Sequence, residues 1–270
     1  MKEIISYGGG TQSTALVLMG LNGEFDLPRP DFAVFADTGG EPQFIYDYLD
    51  YFVKYCKEKY DFDIHVIKHK KGLVHRLLEE IHKARDGKFY SNSAPPFYYM
   101  ENGQVKMFMR QCTSDYKVHP ITKFINSQLE RKEPYRLWMG ISFEERQRMR
   151  ISTIKRRKNF YPLVENYVKR MGSVQYVIDQ GLKAPQRSSC YFCPFHSDRY
   201  WKWLKKDHPG EFAKAVDFES KVQKRVNGHL NESVYLHRSC VPLDQVRFED
   251  DSQLNLFPEL IDECEGYCGV

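Results

Sequence analysis

Ile4-Ile5-Ser6-Tyr7-Gly8-Gly9-Gly10-Thr11-Gln12-Ser13-Thr14-Ala15-Leu16-Val17-Leu18-Met19 is the stretch that decides the fold. Its first four residues read as a short buried strand and its last six as an apolar helix. A glycine loop joins them directly. Glycines let backbone N–H groups approach an anion closely, and a helix start adds unsatisfied donors and the positive end of a dipole. The stretch therefore predicts a phosphate-holding loop. No Gly-Lys-Ser/Thr follows at the spacing of a Walker loop, and the glycines do not match the dinucleotide fingerprint.

Outward from this loop, strands and helices alternate. Phe32 to Ala36 is a continuous apolar run, as expected of a parallel strand covered on both faces. It ends in Asp37-Thr38-Gly39-Gly40-Glu41, and Pro42 suits the first turn of a helix running to about Tyr60. Phe62 to Ile67 predicts a third strand, Gly72 to Ala84 a helix, and Arg136 to Ile141 a fourth strand. The alternation predicts an α/β fold, an open parallel sheet with helices on both faces and ligands at the carboxyl ends of the strands. The loops at 8–13, 37–41 and 142–150 fall there. Residues 86–110 read as a long loop or lid over the site. Asp198 to Lys206 and Gly210 to Val226 predict two helices broken by Pro209. The tail from Gly228 reads as short irregular segments. The expected division is a nucleotide-binding domain over 1–165 and a helical, cysteine-bearing region over 166–270.

At 270 residues the chain can bury a full core. It contains no run of about 18 apolar residues, so no membrane span is expected. It enters its first strand without a signal-peptide-like segment, which predicts a cytoplasmic protein. The net charge of +4 is unevenly spread. From Arg146 to Lys158 there are seven basic residues and no acid. Such a run is a solvated face or meets an anion. Its position behind a strand assigns Arg146 and Arg148 to a nucleotide. Lys155, Arg156, Arg157 and Lys158 would meet a larger anionic partner such as nucleic acid.

Seven cysteines in a cytosolic chain point to metal or redox chemistry rather than disulfides. Cys190-Tyr191-Phe192-Cys193 is a C-x-x-C that fits a redox pair, a metal knuckle or two buried thiols. Cys264 and Cys268 form a second close pair far away in sequence, the layout of a Cys₄ metal site, and Cys112 is a fifth candidate. Zinc and an iron–sulfur cluster both suit thiolates. Cys56 and Cys240 read as core residues. Asp37, at a strand end, could hold Mg²⁺ or a ribose hydroxyl, or cap the following helix.

Four blocks together resemble one superfamily. Ser6 to Ser13 is similar to the PP-loop of adenine-nucleotide alpha hydrolases. Ala36 to Glu41 resembles the second-strand motif of phosphoadenosine phosphosulfate reductases. Cys112-Thr113 with Tyr116-Lys117 and Pro120 resembles their cysteine–lysine–proline block. Gly140-Ile141-Ser142 with Glu144, Glu145 and Arg148 resembles the block whose arginine contacts the nucleotide. The resemblance covers residues 1–165 and implies a Rossmann-like adenine nucleotide alpha hydrolase fold. It implies ATP or a related adenine nucleotide held by Ser6, Gly8, Gly9, Gly10, Thr11, Gln12, Ser13, Asp37, Thr38, Gly140 and Arg146, with Lys117 and Arg148 as the catalytic cations. Cys190 and Cys193 resemble the second cysteine pair of the cluster-containing sulfonucleotide reductases. This implies a [4Fe–4S] cluster on Cys112, Cys190 and Cys193, completed by Cys264 or Cys268.

Two departures qualify the resemblance. Thr11 and Gln12 replace the usual residues of the loop, often Lys-Asp. The glutamate–cysteine–glycine–histidine segment that carries the reductase thiol is absent, since Glu263-Cys264-Glu265-Gly266 lacks the histidine. The resemblance therefore implies adenylation of an acceptor, in sulfur transfer or nucleic-acid modification, as in the PP-loop proteins of DNA phosphorothioation and tRNA thiolation. A variant sulfonucleotide reductase is the alternative. A non-catalytic nucleotide sensor or nucleic-acid-binding module is a reading of another class.

Overall fold

The computed structural model describes residues 1–69, 71–79, 82–83, 89–90, 95–227 and 233–248. β1 (Lys2–Ser6), β2 (Phe32–Asp37) and β3 (Ile64–Lys68) are linked by α1 (Thr11–Asn22) and α2 (Gln43–Tyr60). α3 (Leu73–Glu79) and the short strands β4 (His82–Lys83), β5 (Phe89–Tyr90), β6 (Tyr98–Glu101) and β7 (Gln104–Met107) follow. α4 (His119–Gln128), β8 (Tyr135–Met139) and β9 (Arg157–Phe160) return the chain to the main sheet. α5 (Pro162–Glu165), α6 (Arg170–Asp179), α7 (Asp198–Asp207), α8 (Pro209–Asn227) and β10 (Val234–Tyr235) complete the described elements.

The main sheet has the order β3-β2-β1-β8-β9, with every pair parallel. The central strands β1, β2 and β8 bury alternate residues on opposite faces. Ile5, Ala33, Phe35 and Trp138 pack with α1, α2 and α6 in one core. Ile4, Val34, Ala36 and Leu137 pack with Ile121 and Ile125 of α4 in another. This two-sided burial is why these strands read as unbroken apolar runs. The fold is α/β, an open parallel sheet with helices on both faces and a helical region following it.

A third core is built from α3, α7, α8 and Val234 of β10, with Phe97, Tyr116 and Phe192. β6 and β7 form an antiparallel hairpin that also pairs with β10. This overturns the reading of 98–107 as loop. Asn102 and Gly103 both adopt positive φ, 52° and 76°, the backbone of a tight hairpin turn. The helix expected to reach Ala84 ends at Glu79, and β4 pairs antiparallel with β5. On propensity alone, a glycine at position 87 disfavours a helix continuing through this stretch. β9 was not anticipated, because its Arg157-Lys158-Asn159 carries no apolar signal. Among the described residues, no helix is long and apolar enough to cross a membrane.

Candidate nucleotide site

The strand order reverses direction between β1 and β8, which opens a crevice at their carboxyl ends. A cavity of about 330 Å³ lies there, bounded by the ends of β1, β2, β8 and β9. Its floor is the glycine loop. Gly9 takes φ +78°, and Gly10 precedes α1 in extended conformation with no side-chain capping hydrogen bond. The hydroxyls of Ser13 and Thr14 turn back to donate to the Gly10 carbonyl, at 2.9 and 3.0 Å. The helix start therefore faces the cavity with no acidic residue in its first turn. Gly140, just beyond β8, lets that strand approach the loop. A Cβ there would lie 2.8 Å from Ser13 Cα and N.

The walls are cationic. Lys117 comes from a single π-helical turn, Ser114–Val118, immediately before α4. Such turns are frequent at functional sites. Arg148 ends a 3₁₀ turn, Phe143–Arg148, and Arg150, Arg157, Arg170 and Arg187 complete the set. Among the described residues, six cationic side chains thus line the cavity against one carboxylate, Glu145. Glu145 is buried, pairs with Arg148, and accepts hydrogen bonds from Gln12 Nε2 at 3.1 Å and Ser142 Oγ at 3.4 Å. A low-dielectric crevice of this charge concentrates anions.

Of the residues singled out in the sequence, Ser6, Gly8, Gly10, Thr11, Gln12, Ser13, Lys117, Gly140 and Arg148 line the cavity together. Gly9 lies in the loop, but its Cβ direction faces the Phe35 ring at 3.1 Å. Asp37 is turned into its own loop. Its Oδ1 accepts from Gly39 N at 2.8 Å and from Tyr46 Oη at 2.7 Å. Thr38 Oγ1 contacts Cys190 Sγ at 3.4 Å. Neither Asp37 nor Thr38 lines the cavity. Arg146 is exposed and rides over the Phe143 ring at 4.9 Å, outside it.

The basic run divides differently from the expectation. Arg157 faces the cavity, while Arg156 is held by Asn126 and the Glu130 carbonyl. Lys155 and Lys158 are exposed. Arg150 lies in the 142–150 loop expected there but was given no role, while Arg170, Arg187 and Ser188 were missed, since they join the site only through tertiary folding.

Cys112 and Cys190 both pack against the third core. Burial pushes the Cys190 thiol well above its ordinary range, and the nearby Glu41 carboxylate adds to the shift. Cys193 turns back on it, its N–H bonding the Cys190 carbonyl at 3.0 Å. Burial alone pushes Cys56 up to about 12. Among the described residues, no three His, Cys, Asp or Glu side chains converge to hold a metal. Cys264 and Cys268 lie outside the described residues. The described thiols therefore do not form a complete ligand set for a cluster or for zinc.

No family model matches the sequence, and no curated protein matches it. Among solved structures, the chain is similar to the U34-tRNA thiolase NcsA from Methanococcus maripaludis, a structure with its [4Fe–4S] cluster. The TM-score is 0.44 at 15% identity, covering 82% of this chain and 72% of that one.

Proposed function

We propose that the chain is a PP-loop enzyme that binds ATP or a related adenine nucleotide and carries out chemistry at the α-phosphate, adenylating an acceptor. The observation that carries this reading is the cavity at the strand-order reversal, with its glycine floor and, among the described residues, six cations against one carboxylate. A triphosphate laid over Gly8–Ser13 meets the N-terminus of α1 from below and Lys117, Arg148 and Arg187 from the walls. Ala36, Val118, Ile121 and Leu137 supply an apolar patch in the same cavity for the base.

In the reaction, an oxygen nucleophile of the acceptor attacks the α-phosphorus. The bond from that phosphorus to the bridging oxygen breaks, and pyrophosphate leaves with the electron pair. Lys117 and Arg148 stabilise the charge that develops on the phosphate oxygens. Mg²⁺ bound with the triphosphate would neutralise part of its charge. The nucleotide-binding unit in this reading is 1–165, and 166–270 closes its wall through Arg170, Arg187 and Ser188. A metal on Cys112, Cys190 and Cys193 would need Cys264 or Cys268 as well. Iron, zinc and sulfide content of the anaerobically purified full chain tests that part, and the adenylation step uses none of these thiols. The acceptor is a sulfur-transfer or nucleic-acid substrate in this reading.

The test is calorimetric binding of ATP together with pyrophosphate release. Wild-type protein is expected to bind ATP. Lys117→Ala and Arg148→Ala should each weaken binding by about tenfold or more, since each removes a charge-assisted hydrogen bond to phosphate. Absence of ATP binding overturns the reading. Binding without pyrophosphate release, across candidate acceptors, favours a nucleotide sensor. Sulfite release from phosphoadenosine phosphosulfate favours the reductase variant.

A further inference from the structure

Behind the cavity wall lies a carboxylate that the proposed chemistry does not use. Glu41 follows the Asp37–Gly40 turn, and its side chain is wholly buried. Its Oε1 stands 3.7 Å from Lys117 Nζ, and its Oε2 accepts a 3.1 Å hydrogen bond from Ser188 Oγ. Lys117 and Ser188 both line the cavity, whereas Glu41 does not. Ser188 sits directly over the glycine loop. A Cβ on Gly9 would come within 3.5 Å of its Oγ, and one on Gly10 within 3.8 Å of its backbone nitrogen. Three segments remote in sequence therefore meet at one carboxylate: the turn after β2, the π-helical turn, and the stretch before the C-x-x-C.

Burying a carboxylate costs desolvation unless it is paired and hydrogen-bonded. Glu41 also opposes the field of the cations, which by itself would weaken anion binding. A group with both costs is useful where placement of the phosphate-facing groups matters more than raw potential. We propose that Glu41 is a positioning residue of the phosphate site, its carboxylate holding the Lys117 ammonium and the Ser188 hydroxyl in place over the glycine loop. This rests on the reading of the cavity as a nucleotide phosphate site.

The test is a double-mutant cycle on the full chain, with calorimetric affinities for ATP and for inorganic tripolyphosphate. Glu41→Gln is expected to weaken both ligands about tenfold in the wild-type background and at most about twofold in the Lys117→Gln background, because interacting residues are non-additive. Equal losses in both backgrounds, with a lowered melting temperature, would show a merely structural role and overturn the proposal. Tighter binding in both backgrounds would show a carboxylate that acts only as an opposing charge, and would also overturn it. Should Glu41→Gln not fold, Glu41→Asp takes its place, since it withdraws the charge by one methylene, and the same pattern is expected. Wild-type protein that binds neither ligand overturns the nucleotide reading beneath. Wild-type binding with an additive cycle overturns the role of Glu41 alone.

Discussion

The open end of the parallel sheet and the aromatic core around α7 and α8 treat polar groups in opposite ways. At the sheet end, a helix start without a side-chain cap, a glycine loop and a wall of cations face one cavity. In the aromatic core, rings pack on rings, with Phe192 stacked on Phe218 at 4.1 Å and His196 on Tyr200 at 3.8 Å. One buried carboxylate there, Glu219, is satisfied by the backbone N–H groups of Leu236 and Leu243 at 2.8 and 2.6 Å. One region gathers cations around a cavity, and the other packs rings and seats a carboxylate on backbone donors. The two meet where Phe192 and Cys190 crowd Gly40, at which a Cβ would lie 2.7 Å from the Phe192 ring. The packed region thus braces the turn that carries Glu41.

This contrast predicts that stability and binding can be changed separately. The largest expected effect is in the aromatic core. Phe212→Ala, which removes a ring packed on Trp201 and Phe248, should cost about 3–5 kcal/mol in urea unfolding, the range for a buried ring. ATP affinity should stay within about threefold below the transition, as for sites that do not share partners. Equal collapse of both would break the comparison. Gly140→Ala should do the reverse. The new methyl group meets backbone rather than a yielding side chain, so stability should fall by about 1–3 kcal/mol. ATP affinity, read by calorimetry, should fall by more than that destabilisation explains.

A smaller effect concerns pH. Burial raises the Glu219 carboxyl above its ordinary value, partly offset by the two N–H donors. The folded state then binds this proton more tightly than the unfolded state. The resulting stability is present below the ordinary glutamate value and is lost as pH rises through the raised one. Urea curves across that window should show wild type losing stability relative to Glu219→Gln, and parallel pH profiles would count against this. The smallest effect is at the surface. Neutralising Lys155 and Lys158 should leave ATP affinity within about twofold, because exposed charges are screened. In the same variant, the salt slope of any nucleic-acid binding should become shallower, by about one for each phosphate that is no longer neutralised. A large drop in ATP affinity would place these lysines in the nucleotide site.

Much of the sheet was legible because burial on both faces imposes unbroken apolar runs, as in Phe32 to Ala36. The glycine loop was legible because three consecutive glycines stand between an apolar strand and an apolar helix. The β6–β7 hairpin was misread although Asn102-Gly103 is a strong turn signal. Its Tyr-Tyr-Met and Gln-Val-Lys strands show no clean alternation. β9 was missed for a related reason, because an edge strand can carry Arg157 and Lys158 where a central strand cannot.

By itself, the sequence determined the α/β alternation, the glycine loop and the presence of Lys117 and Arg148 as candidate cations. Those features are local: glycine conformation, apolar periodicity and strand-to-helix order act over a few residues. The tertiary structure alone decided that Asp37 turns inward, that Arg157 and Arg187 join the cavity while Arg146 does not, and that Lys117 and Ser188 meet at Glu41. Such groupings depend on strand order and on the packing of segments more than a hundred residues apart, as Ser188 and Glu41 are. No local pattern of residues encodes that separation. It is set when the burial of two cores brings the strand ends and the aromatic region together.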